Sequence, residues 1–412
     1  MRSFVFTVTI LAPSAVLAGG YVLPNESPRE LALSQSAVAN QNSSDALFMN
    51  TAALAGQDGL SVSVGVEALL NHTDWSDPTL GSSSINTKFN TPPTATVGYG
   101  AKLDNGMAWG AAIGLNVPAG GSLYWPNGWQ GQEYIRTVSQ EVFGMGIGAA
   151  FQPLPFLKIG AAYLRFQAQE ELHQGINFLD HYGDAGLAMS GGSNGFLVAT
   201  EITVPTIPLK FGFTYSHAQD FDLTGNAHFT EVPLAFQALL HDQDVKEKLL
   251  IPDLFYASAA YEVIPNLKVM AAWNFERWSP YKEDKFEGAS GFTVTVPRNY
   301  NNAYVYRIGG EWEHVPFLTA LTLRVGALRS ISDQPKDTVS PSLTDGDSTA
   351  FSLGAGFNVA PDLRIDVGYQ HAFFDSVTAS GADALPGTYK TQVDLISVGL
   401  QWRSDLAFLK GR

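Results

Sequence analysis

From about residue 58 to its end the chain alternates apolar and polar side chains, and this period of two most limits what it can fold into. Successive side chains of a strand point to opposite faces. "LRIDVGYQ" sets Leu363, Ile365, Val367 and Tyr369 against Arg364, Asp366, Gly368 and Gln370. "AFSLGAGFNV", "ALTLRVGAL", "LKVMAAWNF", "LKFGFTYS" and "MAWGAAIGLNV" repeat the scheme. The connections alternate too. Short ones rich in Pro, Asn, Asp and Gly fall at 104–106, 152–156, 205–208, 264–266, 315–317 and 360–362. Long ones fall at roughly 73–90, 118–136, 171–194, 224–248, 283–301, 331–348 and 377–389. Six turns and seven loops separate 14 strands, an even number that returns both ends of the sheet to one side.

The environment of this sheet follows from the N-terminus and the composition. Arg2, the apolar run Phe4 to Leu11 and the small residues Val16 and Ala18 read as a secretory signal over 1–18, with cleavage expected after Ala18. No later run is long and apolar enough for a spanning helix. Yet the chain is 45% hydrophobic and only 15% charged, with 40 glycines and no cysteine. Export, strands and no spanning helix leave one membrane solution, a closed β-barrel with its apolar face to lipid and its polar face to a lumen. The predicted fold class is all-β, a 14-stranded antiparallel transmembrane barrel in a bacterial outer membrane. The barrel is expected over 58–404, with a tail at 405–412. Trp109, Trp312 and Trp402 fall near turn-side strand ends and Trp75 and Trp278 near loop-side ends, which predicts two interfacial aromatic girdles. A formal charge of −15 argues against nucleic acid as a partner.

Residues 19–57 do not alternate. "PRELALSQSAVANQ" reads as a short helix opened by Pro28, and "DALFMNTAALAG" as another helical turn from Asp45 to Gly56. So short a segment cannot form a core alone. Inside the barrel it fills a lumen that otherwise conducts water, so it is predicted to be a plug, with Phe48, Asn50 and Ala52 as its key residues. A buried Asn50 amide is expected to be fully hydrogen-bonded.

With hatch and barrel together, the chain resembles the FadL-type outer-membrane transporters of long-chain fatty acids and hydrocarbons. The resemblance rests on "SSDALFMNTAALAG", where Asn50-Thr51-Ala52 stands in place of the usual Asn-Pro-Ala, and on "MAWGAAIGLNV" as third strand. "IPDLFYASAAYEVIPNLKVMAAWNFERWSPY" and "FSLGAGFNVAPDLRIDVGYQHAFF" carry it further, over essentially the whole mature chain.

Catalytic and metal motifs are weak. "GGSNG" (191–195) matches Gly-x-Ser-x-Gly, but no strand-turn-helix context surrounds Ser193. "GMGIG" (144–148) lies within a strand, where its glycines make room for the plug. "DGDS" (345–348) lacks a spaced set of acidic ligands, and the eight histidines are scattered. No catalytic residue, metal or cofactor is assigned.

Two loops are apolar where loops are ordinarily polar. One carries Leu172, Ile176 and Leu179 at helical spacing with Phe178 and Tyr182 beside them, and the other Leu234, Phe236, Leu239 and Leu240 after Pro233. They either pack on each other or form a ligand-capturing groove at the extracellular mouth. In the third strand, Gly114, Asn116 and Pro118 gather at the loop-side end. They either end the strand or interrupt its pairing. The resemblance implies the latter, a kink opening a lateral exit, with Met107, Trp109, Ala111, Ile113, Leu115 and Val117 facing outward.

The expected function is passive uptake of a long-chain fatty acid or similar hydrophobic molecule by a monomer amid outer-membrane lipid and lipopolysaccharide. A lumen cation (Lys210, Arg307, Arg324 or Arg364) either meets a ligand carboxylate or pairs with Glu311 and Asp366. The alternatives are an aqueous porin or an outer-membrane lipid hydrolase.

Overall fold

The computed structural model describes residues 23, 26–85, 91–291, 293–332, 334–380 and 384–404. The expected signal peptide and C-terminal tail lie outside the described residues. Fourteen antiparallel strands close on themselves. The first strand, Gly59–Asp77, pairs with the last, Gly387–Ser404, from Leu60↔Ser404 to Ser76↔Thr388. Closure joins the two terminal strands of the sheet, which is what hydrocarbon surroundings require. The alternation sorts the faces as expected. Val64, Ile113, Met145, Ile147, Ile308, Val325 and Leu353 lie on the outside, and Ser61, Ser63, Glu67, Asn274 and Arg324 are buried within.

The loop-side ends differ from expectation. Strands five (Leu157–Asn177) and six (Tyr182–Thr203) form one continuous hairpin, paired to Asn177↔Tyr182. Strand seven runs through Leu209–Ser216 and Gln219–Thr230, and strand eight through Gln243–Ile251 and Leu254–Ile264. Much of the predicted 171–194 and 224–248 loops is therefore strand. On strand five the outward face is apolar from Ile159 to Tyr163 and polar from Arg165 on, so the sheet rises well beyond the bilayer.

The aromatic belt at that upper boundary is also not the predicted one. Trp75 and Trp278 are fully buried, and Trp75 packs on Trp129, which stacks on Trp125 with ring centroids 4.1 Å apart. These tryptophans form part of an extracellular core. The loop-side girdle consists instead of Phe196, Tyr215, Phe255, Phe275 and Tyr304, linked ring to ring at 4.8–5.9 Å. Phe and Tyr serve an interface as well as Trp when the ring is apolar and the edge reaches polar groups. The Tyr215 hydroxyl accordingly donates to Asp253 at 2.7 Å. Trp109 does face outward on the turn side.

The N-terminal segment sits inside the barrel. Ser27 accepts a hydrogen bond from the Glu30 amide and opens a five-residue helix, Pro28–Ala32. A single helical turn, Ala46–Met49, and a 3₁₀ stretch, Thr51–Gly56, lead into the first strand. Leu31, Leu33, Val38, Leu47 and Leu54 are 0–1% exposed, so these short turns are enclosed rather than docked on an outer surface.

Candidate functional site

The plug is seated by charge at one end and by backbone contact at the other. The Arg29 guanidinium donates to both carboxylate oxygens of Glu311, at 2.9 and 2.7 Å. Glu311 also accepts from Arg324 at 2.7 Å, Arg324 reaches Asp366 at 2.7 Å, and Arg364 meets Asp366 at 3.0 Å. Alternating signs let these groups share one low-dielectric space. Arg307 donates to the plug carbonyl of Ser34 at 3.0 Å, and Lys210 lies 3.8 Å from Glu201. All four candidate lumen cations are thus committed to protein partners. Two of them, Arg324 and Arg364, make the predicted pairings.

At the other end the wall is cut back to admit the plug. A Cβ on Gly110 would collide with the Leu54 carbonyl, and one on Gly160 with the backbone at Ala52. Phe48 lies over Gly114 and Gly146, where added Cβ atoms would meet its ring carbons at 3.2 and 2.9 Å. Asn50 departs from expectation. Its side-chain nitrogen donates to the Val38 carbonyl at 2.8 Å, but its Oδ1 has no partner among the described residues. Asp45 does not cap its helix. It accepts from Thr96 at 2.9 Å and Ser63 at 3.0 Å, tying plug to wall.

At the mouth the structure brings together four of the six predicted residues. Leu172 and Phe178 are buried, and Phe236 and Leu240 pack against the same cluster, with the Phe178 and Phe236 rings 5.5 Å apart. Leu179 and Leu239 are 85% and 54% exposed and do not join it. The predicted helices are absent. Leu172 lies on strand five and Leu179 in the hairpin turn, while 234–239 is a series of turns with one i→i−4 bond, Leu240 to Phe236. The cluster continues inward through Phe166, Phe221, Leu223, Phe286 and Trp278, none of which loop composition indicated. Against it lie Glu170 and Glu247, both beyond the bilayer. Burial, then the nearby Asp284, pushes the Glu170 carboxyl up to about 8. Burial and the adjacent Glu170 carry Glu247 well above the usual carboxylate range.

The third strand, Ala108–Tyr124, is interrupted at Asn116–Ala119, so Asn116 and Pro118 lie at the break and Gly114 does not. Gly114 is paired on both sides, to Thr96 and Gly146. The ladder to the second strand, Pro93–Lys102, ends at Ala95↔Leu115. On the fourth strand, Thr137–Leu154, the register shifts between Asn116↔Gly144 and Ala119↔Val142. Val117 and Pro118 thus oppose Phe143 alone, a bulge that reverses the alternation. Val117, expected outside, is 1% exposed and packs in an interior cluster with Leu23, Leu69 and Leu395. The Leu23 amide donates to the Pro118 carbonyl at 2.8 Å, so the start of the described plug docks on the bulge. Asn116 is buried there, its Oδ1 without a partner among the described residues.

The enzyme-like and cation-like motifs resolve into structure. Ser193 lies within strand six, paired with Phe166 and followed by strand rather than helix. Asp345 accepts from Ser332 and Asp347 pairs with Arg329. Among the described residues no group of His, Asp and Glu could hold a metal ion.

The profile of the outer membrane protein transport protein family (OMPP1/FadL/TodX) matches residues 9–404. The "47 kDa outer membrane protein" of Pasteurella multocida (strain Pm70) is 24% identical over 207 residues, covering 47% of this chain. That match spans about half, 46%, of the relative's own length. A Pseudomonas aeruginosa FadL homologue superposes with a TM-score of 0.83 at 17% identity, over 93% of this chain and 99% of its own. The toluene transporter TodX of P. putida gives 0.69 at 16% identity, over 96% and 98%. The toluene transporter TbuX of Ralstonia pickettii gives 0.67 at 16% identity, over 97% and 100%. At these identities the structures speak for the fold. The family match speaks for the chain itself, which is an outer-membrane β-barrel belonging to the outer membrane protein transport protein family (OMPP1/FadL/TodX).

Proposed function

We propose that this protein takes up a long-chain fatty acid or similar hydrophobic molecule passively, in three stages. The apolar mouth at Leu172, Phe178, Phe236 and Leu240 collects the ligand from water. The apolar cluster of Phe166, Phe221, Phe286 and Trp278 beneath the mouth parts to receive it. The ligand then leaves sideways between the second and third strands into the outer leaflet, never entering the polar lumen below.

The observation that carries this reading is the bulge at Asn116–Ala119 with the plug's Leu23 bonded to it. A wall that stops pairing where the plug touches it suits release into lipid, and a plug fastened by Arg29 and Glu311 suits a closed axis. The reading also agrees with the hydrocarbon and toluene transport ascribed to structurally similar barrels. A porin reading fits poorly with an enclosed plug. Because Lys210, Arg307, Arg324 and Arg364 already have partners, chain length and apolar area, rather than a carboxylate, govern selection.

The test is uptake of radiolabelled dodecanoate and of an alkylbenzene by cells carrying the protein, beside single-channel conductance in planar bilayers. Uptake without large steady channels is expected. Large channels with no hydrophobic uptake would overturn the proposal.

A further inference from the structure

On the lipid-facing wall, away from the third strand, strands five to nine enclose an apolar groove of about 580 Å³. Its floor follows from the register. Ile159, Thr200, Phe213, Ala257 and Trp273 of the ninth strand (Leu267–Glu276) occupy one cross-strand row. Thr200 and Ala257 are small and leave a trough between the large Ile159, Phe213 and Trp273. Val198, Tyr215 and Phe255 form the next row above and close the loop-side end.

Immediately above stands a rim of cationic side chains at the bilayer boundary. Among the described residues Arg165 donates to neutral acceptors, the Ser193 carbonyl at 3.3 Å and Asn194 Oδ1 at 3.2 Å. His217 and Arg277 share one carboxylate, Asp253, at 3.2 and 3.4 Å. The Arg277 side chain is 56% exposed and that of His217 47%, so both retain free N–H groups toward the headgroup layer. Arg277 and His217 thus share the single carboxylate of Asp253, while Arg165 meets neutral acceptors.

We infer that this groove and rim form a site for a bisphosphorylated acyl lipid of the outer leaflet, with an acyl chain in the trough over Ala257, one phosphate on Arg165 and the other on Arg277. Guanidinium matches phosphate geometry and binds it bidentately, and the low-dielectric boundary strengthens the contact. A neutral lipid fills the trough equally well but leaves the rim unanswered. The groove is on the outer face, where Ile159, Phe213 and Trp273 are exposed, whereas the uptake residues Phe166, Leu172 and Phe221 on the same strands are buried within.

The experiment is native mass spectrometry of the purified full chain released from mild detergent, offered bisphosphorylated lipid A or phosphatidylcholine. Lipid A is expected to be retained at least about tenfold better. Retention should fall toward the phosphatidylcholine level in the double variant Arg165→Ser, Arg277→Ser, and again in Ala257→Phe, which fills the trough. Both variants change outward side chains, and heat-dependent gel mobility checks that each barrel is folded. Equal retention of the two lipids, or loss in only one of the two variants, would overturn a site made of groove and rim together. Displacement of lipid A by inorganic phosphate alone would do the same.

Discussion

Arg29 in the plug and Glu311 in the barrel wall, 282 residues apart, meet through two parallel hydrogen bonds in a buried ion pair. Breaking such a pair by removing one partner strands a buried charge, at a cost of about 3–5 kcal/mol. Arg29→Ala is therefore expected to unseat the helix at Pro28–Ala32 and raise ion conductance in planar bilayers. Arg29→Lys, which keeps charge without the fork, should fall between. Conductance unchanged in Arg29→Ala would mean that the remaining contacts hold the plug alone.

At the third strand the bulge is one residue, so its removal is a defined operation. Deleting Pro118 lets Val117 oppose Phe143 and restores the register to Ala119↔Val142. The shortened protein is expected to fold and bind ligand but to lose uptake by about tenfold or more, since a third strand without the bulge no longer bends away from the second and no longer offers Leu23 its dock. Wild-type uptake rates in labelled-ligand assays would rule out the lateral route.

The mouth offers its own control. Phe236→Asp with Leu240→Asp places two carboxylates in the apolar cluster, each lost side chain being worth roughly 1.5–3 kcal/mol of transfer free energy. Ligand affinity, read by tryptophan fluorescence quenching, should drop by about tenfold or more. Leu179→Asp should change nothing, because Leu179 already points to water. Equal effects from both would show a general charge effect rather than a capture surface.

The carboxyls beside that surface predict a pH dependence. The folded Glu170 is held near 8 against a usual 4.5, chiefly by burial, so folding favours the neutral form. Its stabilisation is complete below the usual value and is lost as pH rises through about 8. Hydrogen-exchange protection factors in strands four to six above the bilayer should fall as pH rises from the usual 4.5 to about 8, and Glu170→Gln should flatten the trend. Protection that increases over that range would reverse the assignment.

The barrel was legible because each strand crosses one bilayer between a tight turn and a long loop, and the turns at 104–106, 264–266 and 360–362 announce themselves by composition. Beyond the bilayer that logic fails. Leu172 and Ile176 stand four apart, which suits a helix face and equally one face of a strand, and the strand won by pairing with strand six. Trp75 and Trp278 sit at strand ends like girdle residues, yet the tall sheet folds over them, a tertiary fact without local signature. The same holds for Arg29 and Glu311, whose pairing depends on closure. Pro118 did mark the break, but which neighbour lost register, and that Val117 turns inward, depended on the opposite strand.

The enclosure of the plug has a consequence for assembly order. Its side chains bond Glu311 and Gln370 of the wall, and its backbone presses on Gly110 and Gly160, so it cannot thread into a finished cylinder. The seam between Gly59–Asp77 and Gly387–Ser404 joins the earliest strand made to the latest. Until that seam zips, residues 26–57 must wait beside an open, curling sheet, and whatever machinery inserts the barrel must keep them on its concave side.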